Sequence, residues 1–289
     1  MTLTRLAPAK VNLYLHVAAP DARGYHPLQS LVVFADIGDT VTLESASEGE
    51  GASLSIDGIF GKSLSAGADN LVLRAVKAFE AATGVNADVR LHLDKSLPIA
   101  SGIGGGSADA GAALHLLRQH LAPNLSDDAL SAMAEQTGAD GVMCLWAKAS
   151  VAEGYGEKLT SASIPPVHAV LINPGVACPT PAVFRAYDED ALFAPIAAEG
   201  FDALTDVEHL VAALRATRND LQAPAVRLQP VIGDVLDCLD AQPETLLARM
   251  SGSGATCFAL CADADAASAL RRRLETLWPA AWVRACRLG

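Results

Sequence analysis

Apolar and polar positions alternate strictly from residue 11 to residue 17. Val11, Leu13, Leu15 and Val17 fall on one face of a predicted strand, and Asn12, Tyr14 and His16 on the other. Lys10 belongs by parity with the polar face. Further β signals cover Leu28 to Phe34, Val41 to Leu43 and Val89 to Leu93. Elsewhere the period changes to that of a helix. Asn70 to Ala82 carries Leu71, Ala75, Ala78 and Ala82 on one side, with Gly84 as its stop. A second helix buries Ala110, Leu114, Leu117 and Leu121 and ends before Pro123. A third starts from Ser126 as N-cap, with Asp127 and Asp128 in the turn favoured by the helix dipole and Gly138 at its C-terminal end.

Between Ala149 and Pro166 the chain turns to Gly, Ser and Pro, which predicts a hinge and hence two domains, 1–155 and 160–289. Beyond it the pattern predicts a strand at Ala169 to Ile172 and helices at Pro181 to Tyr187, Val207 to Ala216 and Val226 to Leu239. A strand pair follows around Met250-Ser-Gly-Ser-Gly-Ala-Thr-Cys257, then a helix from Ala266 to Leu277 and a strand at Trp282 to Cys286. Strands and helices mix without strict βαβ alternation, so the expected class is α+β.

Composition adds limits. With 289 residues, 51% hydrophobic and 19% charged, the chain can bury a sizeable core. No run of about 18 uncharged apolar residues appears, and Met1 to Lys10 carries charge where a signal peptide would have its apolar stretch, so a cytoplasmic location is expected. The net charge of −12 argues against nucleic-acid and anionic-membrane partners. An anionic ligand must therefore be gripped locally. The six cysteines form no C-x-x-C pair and find no histidine at zinc spacing, which predicts reduced core residues. Oligomeric state is left open.

Between the β signal ending at Leu93 and the helix of Ala110 lies Pro98-Ile99-Ala100-Ser101-Gly102-Ile103-Gly104-Gly105-Gly106-Ser107-Ala108. Glycines 102, 104, 105 and 106 can turn successive N–H groups toward one point, and the following helix adds unpaired donors and a positive dipole end, so the segment predicts a phosphate site. It is not a dinucleotide fingerprint, because Ser107 stands where the third glycine belongs. Nor is Gly61-Lys62-Ser63 a Walker loop, since Ile56 stands where that loop needs glycine.

Three motifs in this order, Pro8-Ala-Lys-Val-Asn-Leu13, the glycine loop and Met250-Ser-Gly-Ser-Gly-Ala-Thr-Cys257, resemble the signature set of the GHMP small-molecule kinases. Gly24-Tyr25-His26, Gly138-Ala139-Asp140, Asn173-Pro174-Gly175-Val176 with Pro179-Thr180-Pro181, and Arg218-Asn219-Asp220-Leu221 extend the resemblance over nearly the whole chain. They point to the branch that acts on a cytidine-diphosphate-linked methylerythritol. The resemblance implies the two-domain GHMP kinase fold, with an N-terminal domain like ribosomal protein S5 domain 2 and a ferredoxin-like C-terminal domain. It also implies transfer of the γ-phosphoryl group of ATP, with Mg2+, to the acceptor's 2-hydroxyl, on the route to isoprenoids.

Residue by residue, the resemblance implies that Asp140 receives the hydroxyl proton and that Lys10 orients it and offsets phosphoryl charge. Residues 98–108 hold the ATP phosphates, and Asn70 and Lys95 lie on the adenosine side. Ser107 is the expected Mg2+ ligand, with a plain N-cap role as the alternative. Asn12 reaches substrate or Lys10. Tyr25 and His26 receive cytosine, one by stacking and the other by hydrogen bonding, although a turn with a half-exposed aromatic would read the same. Thr180, Pro181 and Phe184 resemble the second wall of that pocket. One departure stands out: the family commonly continues Gly-Ala-Asp with Val-Pro, whereas here Gly141-Val142 follows Asp140, which predicts a looser setting for the carboxylate. Competing readings are a GHMP kinase for a sugar or mevalonate-like alcohol, which Tyr25-His26 argues against, and a catalytically weak nucleotide-binding relative.

Overall fold

The alternation at 11–17 is the end of a longer strand, β1 (Thr2–Val17), in the computed structural model, which describes residues 2–190, 193–196, 201 and 204–289. Lys10, Asn12 and His16 are buried on the face the pattern marks as polar. The two β signals at 28–34 and 41–43 are one strand, β2 (Leu28–Ser45). The break in pattern between them comes from Asp36, Gly38 and Asp39. At Gly38 a Cβ would lie 2.1 Å from Ala7 O, so only glycine allows β1 to approach there. Asp39 is fully buried.

The chain forms two compact units: Met1–Lys10, Ile37–Ile99 and Gly104–Ala147, and then Val11–Asp36, Ala100–Ile103 and Lys148–Gly289. These do not follow a single cut near 155–160, because β1, β2 and the glycine loop each contribute to both units.

In the first unit β3 (Ser53–Asp57) runs parallel to β4 (Val89–Asp94), and β4 pairs antiparallel with the end of β2, Thr40 opposite Asp94. Four α-helices accompany them among the described residues: α1 (Leu71–Thr83), α2 (Gly105–Leu121), α3 (Asp127–Glu135) and α4 (Gly141–Trp146). Helix α1 begins where the sequence predicts, with Asn70 Oδ1 accepting Val72 N–H at 2.9 Å and Gly84 closing it in the left-handed region. Ser126 caps α3, accepting Ala129 N–H at 3.2 Å. Strand β3 is not among the elements predicted from the sequence, although Ser53-Leu54-Ser55-Ile56-Asp57 alternates polar and apolar, whereas α4, only six residues long, is too short to leave a clear period.

In the second unit the supposed hinge is a hairpin of β5 (Ser150–Gly154) and β6 (Lys158–Ser161), and β5 pairs with the start of β2. The strands β7 (Val167–Asn173), β8 (Leu247–Met250), β9 (Cys257–Cys261) and β10 (Trp282–Leu288) run in the order β10-β7-β9-β8, all antiparallel. Against them pack α5 (Thr180–Asp190), α7 (Gln222–Leu228), α8 (Val231–Asp240) and α9 (Ala264–Leu277) around a core that includes Leu15, Val170, Ile172, Val183, Ile232 and Leu270, while α6 (Val207–Arg215) is tied to β8 by Arg249 Nη2, which donates to Leu214 O at 3.0 Å. The helix predicted at 226–239 is two helices, because Pro230 has no N–H with which to continue α7. The six cysteines form no disulfide. No helix among the described residues is long and apolar enough to cross a membrane.

Candidate functional site

In the first unit the loop, the lysine and the aspartate meet. Lys10 Nζ lies 3.3 Å from Asp140 Oδ2, with the lysine side chain 7% exposed and the aspartate 37%. Asp140 occupies the N-cap position of α4, yet its side chain accepts no capping hydrogen bond and faces Lys10. Gly104 is the N-cap of α2, with φ +65°, and a Cβ there would lie 3.1 Å from Lys10 Cβ and 3.2 Å from Lys10 Cε. The loop therefore packs directly on the lysine. Cys144 Sγ lies under the same turn, 3.9 Å from Gly104 O, and burial pushes its thiol well above the usual range, so it serves as packing rather than as a nucleophile.

Gly141 corrects the expectation of a loose Asp140. It is buried, and a Cβ there would lie 2.0 Å from Ala134 O and 2.8 Å from Thr137 Oγ1. Its N–H donates to Gly138 O at 2.9 Å, and Cys144 N–H donates to Asp140 O at 3.0 Å. Glycine is what lets the turn tuck under the end of α3, and the carboxylate sits on a held backbone.

Along the loop, Ala100, Gly102 and Gly104 are all left-handed, at φ +49°, +75° and +65°. Pro98 is buried, while Ile99 and Ala100 are exposed. Because Gly104 is the N-cap, Ser107 is the third residue of α2, half-buried, and the capping alternative for it is excluded. Both adenosine-side candidates are occupied by the chain. Asn70 caps α1 and donates to Ser65 O at 2.9 Å. Lys95 is buried, its ammonium paired with Asp39 and Asp109. Asn70 remains half-buried, whereas the Lys95 side chain is 3% exposed.

In the second unit the 251–256 turn supports the loop's middle. Ser251 Oγ donates to Gly102 O at 3.0 Å and accepts Asn12 N–H at 3.1 Å, and Thr256 N–H donates to Ser101 O at 3.1 Å. A Cβ on Gly102 would lie 2.4 Å from Ser251 O, so this glycine serves close backbone approach. Ile103 is buried. Asn12 Nδ2 donates to Ser30 Oγ at 2.7 Å.

His26 is nearly buried in an aromatic nest, its ring centroid 5.3 Å from Phe184, 5.8 Å from Tyr187 and 6.1 Å from Phe193. Its Nδ1 donates to Ala18 O at 2.8 Å, and its Nε2 lies 3.0 Å from Asp188 Oδ1. Both ring nitrogens are therefore engaged by the chain. Tyr25 is 64% exposed, set edge-on to Tyr155 at 6.1 Å with Arg23 over its ring. The turn beneath is held by Asp21, which accepts from Tyr155 and from Tyr25 N–H and whose carboxyl those bonds keep below the usual range. Thr180 and Pro181 are exposed at the start of α5, with Thr180 Oγ1 2.8 Å from Ser253 Oγ. Asp188, Tyr155 and Asp39 escaped the sequence reading, because each acts on a residue distant in sequence and none sits in a recognisable motif.

Comparison with known proteins is consistent along the whole chain. Residues 70–148 match the family of the GHMP kinases N terminal domain, and residues 198–280 the GHMP kinases C terminal family. The 4-diphosphocytidyl-2-C-methyl-D-erythritol kinase of Caulobacter vibrioides strain NA1000 is 55% identical, with 100% of each chain covered. The protein of the same name from Caulobacter sp. strain K31 is 54% identical, covering 100% of this chain and 99% of its own. A crystal structure of a 4-(cytidine 5'-diphospho)-2C-methyl-D-erythritol kinase superposes with a TM-score of 0.78 at 34% identity, covering 99% of both chains.

Proposed function

The chain belongs to the GHMP kinases and, within them, to the family of the 4-diphosphocytidyl-2-C-methyl-D-erythritol kinases, and from that premise we propose that it transfers the γ-phosphoryl group of ATP to the 2-hydroxyl of 4-diphosphocytidyl-2-C-methyl-D-erythritol. The observation that carries this reading is the Lys10–Asp140 pair at 3.3 Å, packed against Gly104 at the N-terminus of α2.

Phosphoryl transfer asks for positioning and charge neutralisation more than for covalent chemistry. The N–H groups of Gly105, Gly106 and Ser107 open α2 without helical partners, and with the helix dipole they are suited to the triphosphate oxygens. Asp140 accepts the proton as the acceptor oxygen attacks the γ-phosphorus; the bond from that phosphorus to the β-bridging oxygen breaks, and ADP leaves. Lys10 orients the carboxylate and offers positive charge where the transferred group gains negative charge.

Among the described residues no cluster of three His, Cys, Asp or Glu side chains could hold a metal ion. Mg2+ in kinases is held mainly by substrate phosphates with one or two protein oxygens, and Ser107, an oxygen donor in the first turn of α2, suits that donor set. When bound with ATP, Mg2+ neutralises phosphate charge in the transition state.

We assign recognition of the cytidine end to the second unit. Exposed Tyr25 supplies a stacking face, and His26 with Phe184 supplies an aromatic wall. A panel of alcohols incubated with ATP and Mg2+ tests the reading by ADP formation. Turnover is expected with the cytidine-linked methylerythritol and not with free methylerythritol, mevalonate or galactose. Equal turnover of free methylerythritol would overturn the substrate assignment.

A further inference from the structure

Three charged side chains are buried together in the first unit, apart from the chemistry assigned above. Lys95, which directly follows β4, donates through Nζ to Asp39 Oδ2 at 2.5 Å and to Asp109 Oδ2 at 2.6 Å, and the three side chains are 3%, 0% and 3% exposed. Asp39 Oδ1 accepts the N–H groups of Ser96 and Leu97, each at 2.7 Å. Those two residues lead into the glycine loop, and Asp109 is the first residue after it, on α2. A Cβ on Gly105 would lie 3.0 Å from Lys95 Nζ and 3.5 Å from Asp39 Oδ2, so the ammonium rests against the first residue of that helix.

Buried ion groups add little net stability, since desolvation cancels most of the Coulombic gain and apolar residues of similar volume commonly do as well. This group is costly besides. Fully ionised, it carries one more negative charge than positive, and Asp109 Oδ1 has no hydrogen-bond partner among the described residues. Burial works against the Lys95 charge, but Asp109 and Asp39 outweigh it and its pKa rises. Burial likewise pushes Asp109 up to about 7 against the pull of the lysine. What the arrangement supplies is geometry. One ammonium joins a carboxylate anchored at the loop's entry to a carboxylate carried by the helix at its exit.

We propose that Lys95, Asp39 and Asp109 form a clamp that sets the spacing between the two ends of the 98–108 loop, holding its amides ready for a polyphosphate, with Lys95 and Asp109 as positioning residues. The clamp's function rests on the reading of this loop as the ATP site. A loop ordered in advance avoids the cost of being ordered on binding, so the clamp governs affinity for ATP and not the handling of the acceptor alcohol.

Lys95→Met would leave two carboxylates facing each other and is expected to unfold, so Asp109 carries the test. Asp109→Asn and Asp109→Ala both remove the surplus charge and spare the Lys95–Asp39 pair, but only asparagine keeps an oxygen that accepts from Lys95 Nζ. Two quantities are measured on the full chain: amide hydrogen exchange of the loop without nucleotide, and KM for ATP and for the cytidine substrate. The alanine variant is expected to exchange its loop amides faster and to raise the KM for ATP about tenfold or more, with the KM for the acceptor within about twofold; asparagine is expected to restore both. Asp109→Leu, which fills the volume, takes the place of alanine should that variant melt below the assay temperature. Identical behaviour of the asparagine and apolar variants in both measurements overturns the clamp. Absence of kinase activity in the wild type would instead sink the functional reading, and the exchange comparison would still decide whether the clamp orders the loop.

Discussion

Lys10 Nζ stands 3.3 Å from Asp140 Oδ2, one on the polar face of β1 and the other at the head of α4. Because the Asp140 side chain makes no capping bond, Asp140→Asn is expected to melt with the wild type while kcat falls by roughly 10²-fold or more, the scale of losing a general base. Lys10→Ala is expected to lower kcat more than it raises the KM for ATP, since its charge is needed most in the transition state. Steady-state kinetics beside thermal melting check both. Near-native kcat in either variant would falsify the assignment of that residue.

Gly141→Ala tests what holds Asp140. Its Cβ would meet Ala134 O at 2.0 Å, a backbone atom that cannot swing away. Overpacking of this kind costs about 1–3 kcal/mol, and the displaced α4 would move the carboxylate from Lys10. Both a lower Tm and a lower kcat are expected. A variant that loses neither would mean the turn is as loose as its sequence suggests.

That contrast shows where sequence reading succeeds and stops. Short-range patterns survive: the Gly84 stop of α1, the cap at Ser126, the alternation of β1 and the glycine loop all depend on residues within a few positions of one another. The tightness of Gly141 depends on α3 folding over it, and the burial of Lys95 depends on Asp39 from another strand. A lysine beside a glycine loop reads as a ligand contact until the carboxylates that occupy it are in view. The gap in pattern at residues 35–40 hides a continuous strand, because polar Asp39 is there to anchor a neighbour rather than to meet water.

Gly104→Val places a β-branched side chain at φ +65°, with its Cβ 3.1 Å from Lys10 Cβ and 3.2 Å from Lys10 Cε. Loss of ATP affinity with a modest loss of stability is expected, read by nucleotide titration and melting. Native affinity would show that the phosphates bind elsewhere.

Tyr25 and His26 should part company on stability. Tyr25 is largely exposed, so Tyr25→Ala is expected to leave Tm unchanged and to lower kcat/KM for the cytidine substrate, as loss of a base-stacking face worth about 1–3 kcal/mol would. His26→Ala removes the bond to Ala18 O and leaves Asp188 without its partner, so it should lower Tm as well. In both, ATP affinity should hold. Unchanged kcat/KM in Tyr25→Ala would remove that residue from the substrate pocket.

Asp109 gives the protein a pH-dependent term that one substitution isolates. Its carboxyl is pushed from the ordinary 3.8 to about 7, first by burial and then by Asp39, against the opposing charge of Lys95, and from α4 the Cys144 thiol faces the same region. The folded chain therefore keeps a proton that the unfolded chain releases near pH 4. The stability that this contributes is complete below about pH 4 and is lost as pH rises through about 7. Asp109→Asn has no proton to lose. Its Tm relative to the wild type is expected to climb between pH 5 and pH 8, by a few degrees for each kcal/mol of linkage in a chain of this size. Parallel melting curves across that range, with a constant gap between variant and wild type, would show that Asp109 is already ionised at pH 5 and that Lys95 satisfies it.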